Sequence, residues 1–99
     1  MTAGAIITLD LPGMAHAALH VAMESPAGEP VQMAMVGLVC AMKRYSAAYA
    51  DVAGDPFGRV LWASAEALAD ATDRLIEALA AQGGTEDEIE NAVAGVAAK

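Results

Sequence analysis

The chain has 99 residues, and its 5 Lys and Arg against 13 Asp and Glu give a formal charge of −8. We expect residues 1–99 to form a single domain, because a core that must bury about 60 to 65 % of the unfolded surface cannot be divided at this size. The negative charge argues against direct binding of nucleic acid, since affinity for phosphates comes largely from Lys and Arg.

The single cysteine cannot form an internal disulfide, so the sequence does not require an oxidising compartment. The longest apolar run, residues 31–42, is shorter than the roughly 18 to 20 residues that span a bilayer. The N-terminus has no basic residue before its short apolar stretch and does not resemble a secretory signal. We expect a cytoplasmic protein with no membrane partner.

Alanine supplies 25 of the residues, whereas Trp, Phe and Tyr together supply four. Alanine favours helices but buries little area. A core of this composition gains little against ordering costs of about 1 to 2 kcal/mol per residue. The monomer is therefore expected to be marginal, which predicts a homodimer or higher homo-oligomer.

The first elements in the chain are an extended arm and two helices. Residues 1–10 include two adjacent isoleucines and predict an extended arm or one short strand. A first helix is expected over about 12–24, ended by two prolines and a glycine within residues 25–30. Pro30 suits the first turn of a second helix over about 30–52. The first half of that helix is apolar on all sides, which is typical of a central helix.

Asp55 and Pro56 predict the start of a third helix, because the carboxylate can cap free N–H groups and proline suits the first helical position. This helix is expected over about 56–81, with Gly83 and Gly84 available for its C-cap. Residues spaced three and four apart predict its buried side. They are Leu61, Ala65, Leu68, Thr72, Leu75 and Leu79.

Thr85 and Glu88 have the spacing of a capping box and predict a short fourth helix over about 86–97. The short connection between the second and third helices predicts an antiparallel helical hairpin. The expected fold is therefore an all-α bundle built on this long hairpin, with the first and fourth helices flanking it.

The apolar half of the second helix is the predicted surface for homo-oligomerisation. Methionine is common both in cores and at adaptable binding surfaces, so the sulfur-rich first half of the chain fits this hypothesis. Cys40 lies within the same apolar run and is predicted to be a buried, inert thiol. The predicted interface residues are Val31, Met35, Val36, Val39 and Met42.

Acidic residues recur along the third helix, opposite its leucine side. An ordinary solvated face explains them most simply, but so uneven a charge would also steer a basic partner. Acids near the start of the fourth helix extend the same charge. The predicted partner-binding residues are Glu66, Asp70, Asp73, Glu77, Glu86, Asp87 and Glu90.

A basic and aromatic group lies near the predicted hairpin turn. Its residue types are common in binding hot spots and could hold an anionic small molecule of the nucleotide type. The alternative is that these side chains only pack the end of the hairpin. The group consists of Lys43, Arg44, Tyr45, Tyr49, Arg59 and Trp62.

His16, His20 and Glu24 are spaced four apart, which puts them on one side of the first helix. Bundle proteins bind metals through such residues, provided that a second helix completes the ligand set. No matching Glu-x-x-His motif occurs in another predicted helix, so a solvated polar edge is the competing interpretation. No cofactor is expected.

The glycines match neither phosphate-binding loop pattern, and no catalytic motif stands out, so we expect a protein that is not an enzyme. The leading hypothesis is an oligomeric helical protein that binds a basic protein partner through its acidic surface. An inhibitor or adaptor of a nucleic-acid-handling complex, of the kind that phages and mobile elements encode, would have this size and charge.

Overall fold

The computed structural model describes residues 11–25 and 28–97. These residues form four α-helices, one short 3-10 turn and no strand, so the predicted all-α bundle is confirmed. The predicted arm at residues 1–10 lies outside the described residues. The elements are α1 (Leu11–Met23), α2 (Glu29–Ala50), the 3-10 turn (Val52–Gly54), α3 (Arg59–Gly83) and α4 (Glu86–Ala97).

The predicted hairpin of the two long helices is confirmed, and α2 and α3 share the most extensive contact in the fold. Their far ends are also joined, because the Gly28 N–H donates a hydrogen bond to Oε1 of Gln82 over 2.9 Å. Helix α1 lies against α3 and α4 and makes a smaller contact with α2.

The core lies where the helices meet and combines a few large aliphatic side chains with alanine. The predicted buried side of α3 is confirmed at Leu68, Thr72, Leu75 and Leu79, with Leu61 and Ala65 half-buried. The buried Thr72 hydroxyl donates to the Leu68 carbonyl over 2.8 Å, which satisfies it inside the core. The largest fully buried side chains are Val31, Leu38, Leu68, Leu75 and Val93.

Helix α1, rather than α2, has the most enclosed surface. Ala15, Ala17, Ala18 and Ala22 are all buried, and small side chains allow neighbouring helices to approach closely. The prediction that the first half of α2 is central is wrong, because Met33, Val36 and Cys40 on one side of it are exposed. Its apolar residues leave one side uncovered because α1 and α4 pack mainly on α3 and on each other.

The start of α3 differs from the prediction by three residues. Residues 55–58 form a turn in which the Gly58 N–H donates to the Asp55 carbonyl. Gly58 has a φ of 65°, a left-handed conformation that favours glycine, and it precedes the first helical residue, Arg59. Pro56 therefore lies in the turn, although Asp55 does cap α3 as predicted.

The Asp55 carboxylate accepts three backbone hydrogen bonds at the start of α3. Its oxygens lie 3.0, 3.0 and 3.1 Å from the amide nitrogens of Arg59, Val60 and Leu61. These amides have no partner within the helix, and the negative charge suits the positive end of the helix dipole. One side chain thus satisfies most of the first turn of α3.

The remaining predicted helix boundaries are close to those observed. Pro30 lies in the first turn of α2 as expected, and α2 ends at Ala50 because the chain continues into the 3-10 turn. Thr85 and Glu88 form the predicted capping interaction, in which the Glu88 N–H donates to the Thr85 hydroxyl over 3.2 Å. That hydroxyl in turn donates to the Glu88 carboxylate. Within residues 11–25 and 28–97, no helix is long and apolar enough to cross a membrane.

Candidate functional site

The predicted acidic residues of α3 are all exposed on the side away from the core. We define the acidic face as Glu66, Asp70, Asp73 and Glu77. Arg74 is the cation next to this face, and its Nη2 lies 3.0 Å from Oδ2 of Asp70. Both partners of this pair are largely exposed, so the pair contributes little to stability. The other three carboxylates of the acidic face make no ion pair with the described residues.

The carboxylates of the acidic face are close enough to influence one another. The pKa of Asp73 is raised, first by its partial burial and then by the negative charges of Glu77 and Asp70. The ionised form of Asp73 is therefore disfavoured first by its partial burial and then by its negative neighbours. A partner that brought positive charge to this face would relieve that repulsion.

The predicted acids of α4 are also exposed, at Glu86, Asp87 and Glu90. The first two lie in the first turn, where negative charge interacts favourably with the helix dipole. Helix stability alone thus explains Glu86 and Asp87, and the four carboxylates of α3 carry the stronger case for partner binding.

The outer side of α2 contains only part of the predicted oligomer interface. Val31 is 1 % exposed and belongs to the chain's own core, so its assignment to an interface is wrong. Met35, Val39 and Met42 are half-buried, whereas Val36 is 62 % exposed.

The exposed apolar surface of α2 includes two residues outside the predicted interface. Met33 is 66 % exposed, and Cys40 is also exposed, which contradicts its prediction as a buried thiol. A Cβ placed on Gly37 would meet no atom within 4 Å. We define the α2 face as Met33, Val36, Gly37 and Cys40.

A groove of about 270 Å³ joins the α2 face to the acidic face. Met33, Gly37 and Cys40 line it from α2, whereas Asp70 and Arg74 line it from α3. Alanines from both helices also line it. The apolar and acidic surfaces are therefore neighbours, and Asp70 belongs to the boundary between them.

The predicted basic and aromatic group does not form one cluster. The Arg59 guanidinium lies 5.8 Å from the ring centroid of Phe57, and Trp62 is 65 % exposed. Arg44 lines the groove between α2 and α3, and Lys43 is exposed on α2. The members of the predicted group are therefore divided between the groove, the cleft and the exposed start of α3.

The two tyrosines instead face a separate cleft. Their ring centroids lie 6.2 Å apart with an interplanar angle of 43°. The cleft has a volume of about 420 Å³ and lies between the start of α1 and the second half of α2, with one residue from α3. It is lined by Pro12, His16, Met42, Tyr45, Ser46, Tyr49, Ala50 and Leu68.

The three residues of the predicted metal site are not brought together as a ligand set. His20 and Glu24 meet as their spacing predicts, with Nε2 2.7 Å from Oε1, and both are exposed. His16 lines the cleft instead. Among residues 11–25 and 28–97, no three His, Cys, Asp or Glu side chains are placed to hold a metal ion.

Sequence reasoning missed the surface role of Met33 and the placement of Pro12, His16 and Ser46 around one cleft. Hydrophobic spacing does not identify Met33, because the first half of α2 is apolar on all sides in the sequence. The cleft has no sequence signal either, since its residues come from three helices. Comparisons with protein-family models, curated proteins and solved structures find no match for this chain.

Proposed function

We propose that this is a non-enzymatic binding protein whose acidic face docks a basic surface of another protein. The observation that carries the proposal is the placement of Glu66, Asp70, Asp73 and Glu77 on the exposed side of one helix. The raised pKa of Asp73 is in keeping with it, because after partial burial the negative charges of Glu77 and Asp70 contribute to that shift.

The neighbouring α2 face adds apolar area to the charged surface of the acidic face. Stable interfaces combine an apolar centre with a polar rim, and the groove brings these two kinds of surface together. A partner with a basic rim and a few apolar side chains would match this surface. An inhibitor or adaptor that covers a basic nucleic-acid groove of another protein is one biological role that fits.

The direct test compares two charge-reversal variants in affinity capture from the native host followed by mass spectrometry. Glu66, Asp73 and Glu77 are changed to Lys in the first, and Glu24, Glu29 and Asp51, which are exposed elsewhere, are changed to Lys in the second. Both variants shift the net charge equally. We expect the first to lose a partner that the wild-type protein and the second variant retain.

Two outcomes would contradict this proposal. Equal capture by all three proteins would show that the acidic face does not contribute, and equal loss in both variants would show that only the overall charge matters. Capture should also weaken as salt is raised, because exposed charges are screened.

We further propose that the α2 face pairs with a second copy of the chain. Exposed side chains at Met33 and Val36 and the open surface at Gly37 support this assignment. A charge at position 36, Val36→Glu, should shift the protein to monomer in sedimentation velocity. Met23→Glu, which alters an exposed methionine of α1, should leave the oligomer intact. A wild-type protein that stays monomeric at micromolar concentration would contradict this proposal.

A further inference from the structure

The cleft beside the two tyrosines is distinct from the surfaces proposed for partner binding. It lies between α1 and the second half of α2, and it shares no residue with the acidic face or the α2 face. Its volume of about 420 Å³ lies in the range of small-molecule sites. Leu68 at its base is fully buried, so the cleft reaches the core.

We propose that this cleft binds an uncharged, planar aromatic small molecule that packs against Tyr45 and Tyr49. This inference goes beyond the proposed function and does not depend on it. It concerns other residues and a different class of ligand.

The two tyrosine rings favour a planar aromatic ligand. Aromatic rings attract each other at centroid separations of about 4.5 to 7 Å in tilted or offset arrangements. Tyr45 is half-buried and anchored against the core, whereas Tyr49 is 64 % exposed and leaves ring surface available. Met42 adds a thioether, which packs well against aromatic rings. A flat apolar ligand therefore matches this side of the cleft.

The lining of the cleft favours an uncharged ligand. None of the described residues that line the cleft is Asp, Glu, Lys or Arg. An anionic ligand would find no permanent cation there and would face the net charge of −8. A cationic ligand would be drawn to the acidic face instead. His16 and Ser46 provide polar atoms that can hydrogen-bond a carbonyl or hydroxyl group on the ligand.

The test uses prodan, an uncharged naphthalene fluorophore whose emission shifts to the blue in apolar surroundings. We expect saturable binding by the wild-type protein. Tyr49→Ala should weaken it by about tenfold through loss of ring contact, and Ser46→Trp should abolish it by filling the cleft. Trp62→Ala removes an equally exposed aromatic side chain elsewhere and should retain wild-type affinity.

Circular dichroism checks that each variant remains folded, and Tyr49→Ala keeps the test decisive if Ser46→Trp does not fold. The absence of saturable prodan binding would overturn the proposal, and so would equal affinity in the wild-type protein and both cleft variants. Tighter binding of the anionic probe anilinonaphthalene sulfonate than of prodan would overturn the assignment to an uncharged ligand. The charge-reversal variant of the acidic face should bind prodan normally, so failure of either proposal can be told from failure of the other.

Discussion

Replacing Asp55 by alanine tests whether the start of α3 depends on one carboxylate. The change removes the acceptor of three backbone hydrogen bonds, donated by Arg59, Val60 and Leu61. Loss of a helix-capping side chain costs about 0.5 to 2 kcal/mol. Because this cap is charged and serves three donors, we expect about 1.5 kcal/mol for Asp55→Ala. In a domain of this size that loss lowers Tm by about 6 to 12 °C.

The measurement is urea unfolding followed by far-UV circular dichroism, with all proteins at one concentration because oligomerisation would change the apparent stability. Asp51→Ala removes an exposed carboxylate from the same connection and serves as the matched control. Asp55→Asn keeps one acceptor oxygen and should fall between the two. If Asp55→Ala lies within about 0.5 kcal/mol of Asp51→Ala, the capping argument is refuted.

Three further changes test the core, the acidic face and the α2 face. Leu75→Ala removes a fully buried side chain and should lower the free energy of unfolding by about 2 to 5 kcal/mol in urea titrations; a loss well below that range would contradict its place in the core. Asp73→Asn should raise Tm at neutral pH, because the ionised carboxylate is disfavoured in the folded chain. This advantage should shrink as pH falls through the raised pKa of Asp73, where the wild-type carboxyl becomes neutral, and an advantage that grew on acidification would refute the assignment. Gly37→Ala should stabilise the monomeric form by about 0.5 to 1 kcal/mol in urea, because the added Cβ meets no neighbouring atom, and a loss of stability would contradict the open surface there.

The helices could be predicted from the sequence because their signals act within a few residues. Pro30 and the Thr85 cap mark helix starts, and the spacing of Leu68, Leu75 and Leu79 marks a buried side. The start of α3 could not be placed, because Asp followed by Pro suits both a capped helix and a preceding turn. The left-handed conformation of Gly58 decides in favour of the turn.

The exposed surfaces were harder to predict, because they depend on how the helices pack against one another. When one half of a helix is apolar on all sides, its sequence does not show which side is buried. The burial of Val31 and the exposure of Val36 therefore follow only from the packing of the other helices. The acidic face was predictable, since it lies opposite a clear leucine side. The cleft was not, because Pro12, Tyr45 and Leu68 are distant in sequence and meet only in the folded chain.

The four buried alanines of α1 also affect how much conformational entropy the chain loses on folding. Alanine has no side-chain rotamers to lose, so enclosing it removes apolar surface from water without the penalty that a long side chain brings. The same positions have little space for a larger side chain, since one at Ala18 would push α1 away from its neighbours. We therefore expect substitutions in this helix to be limited by volume more than by polarity, with glycine or serine tolerated at Ala18 where valine or leucine is not.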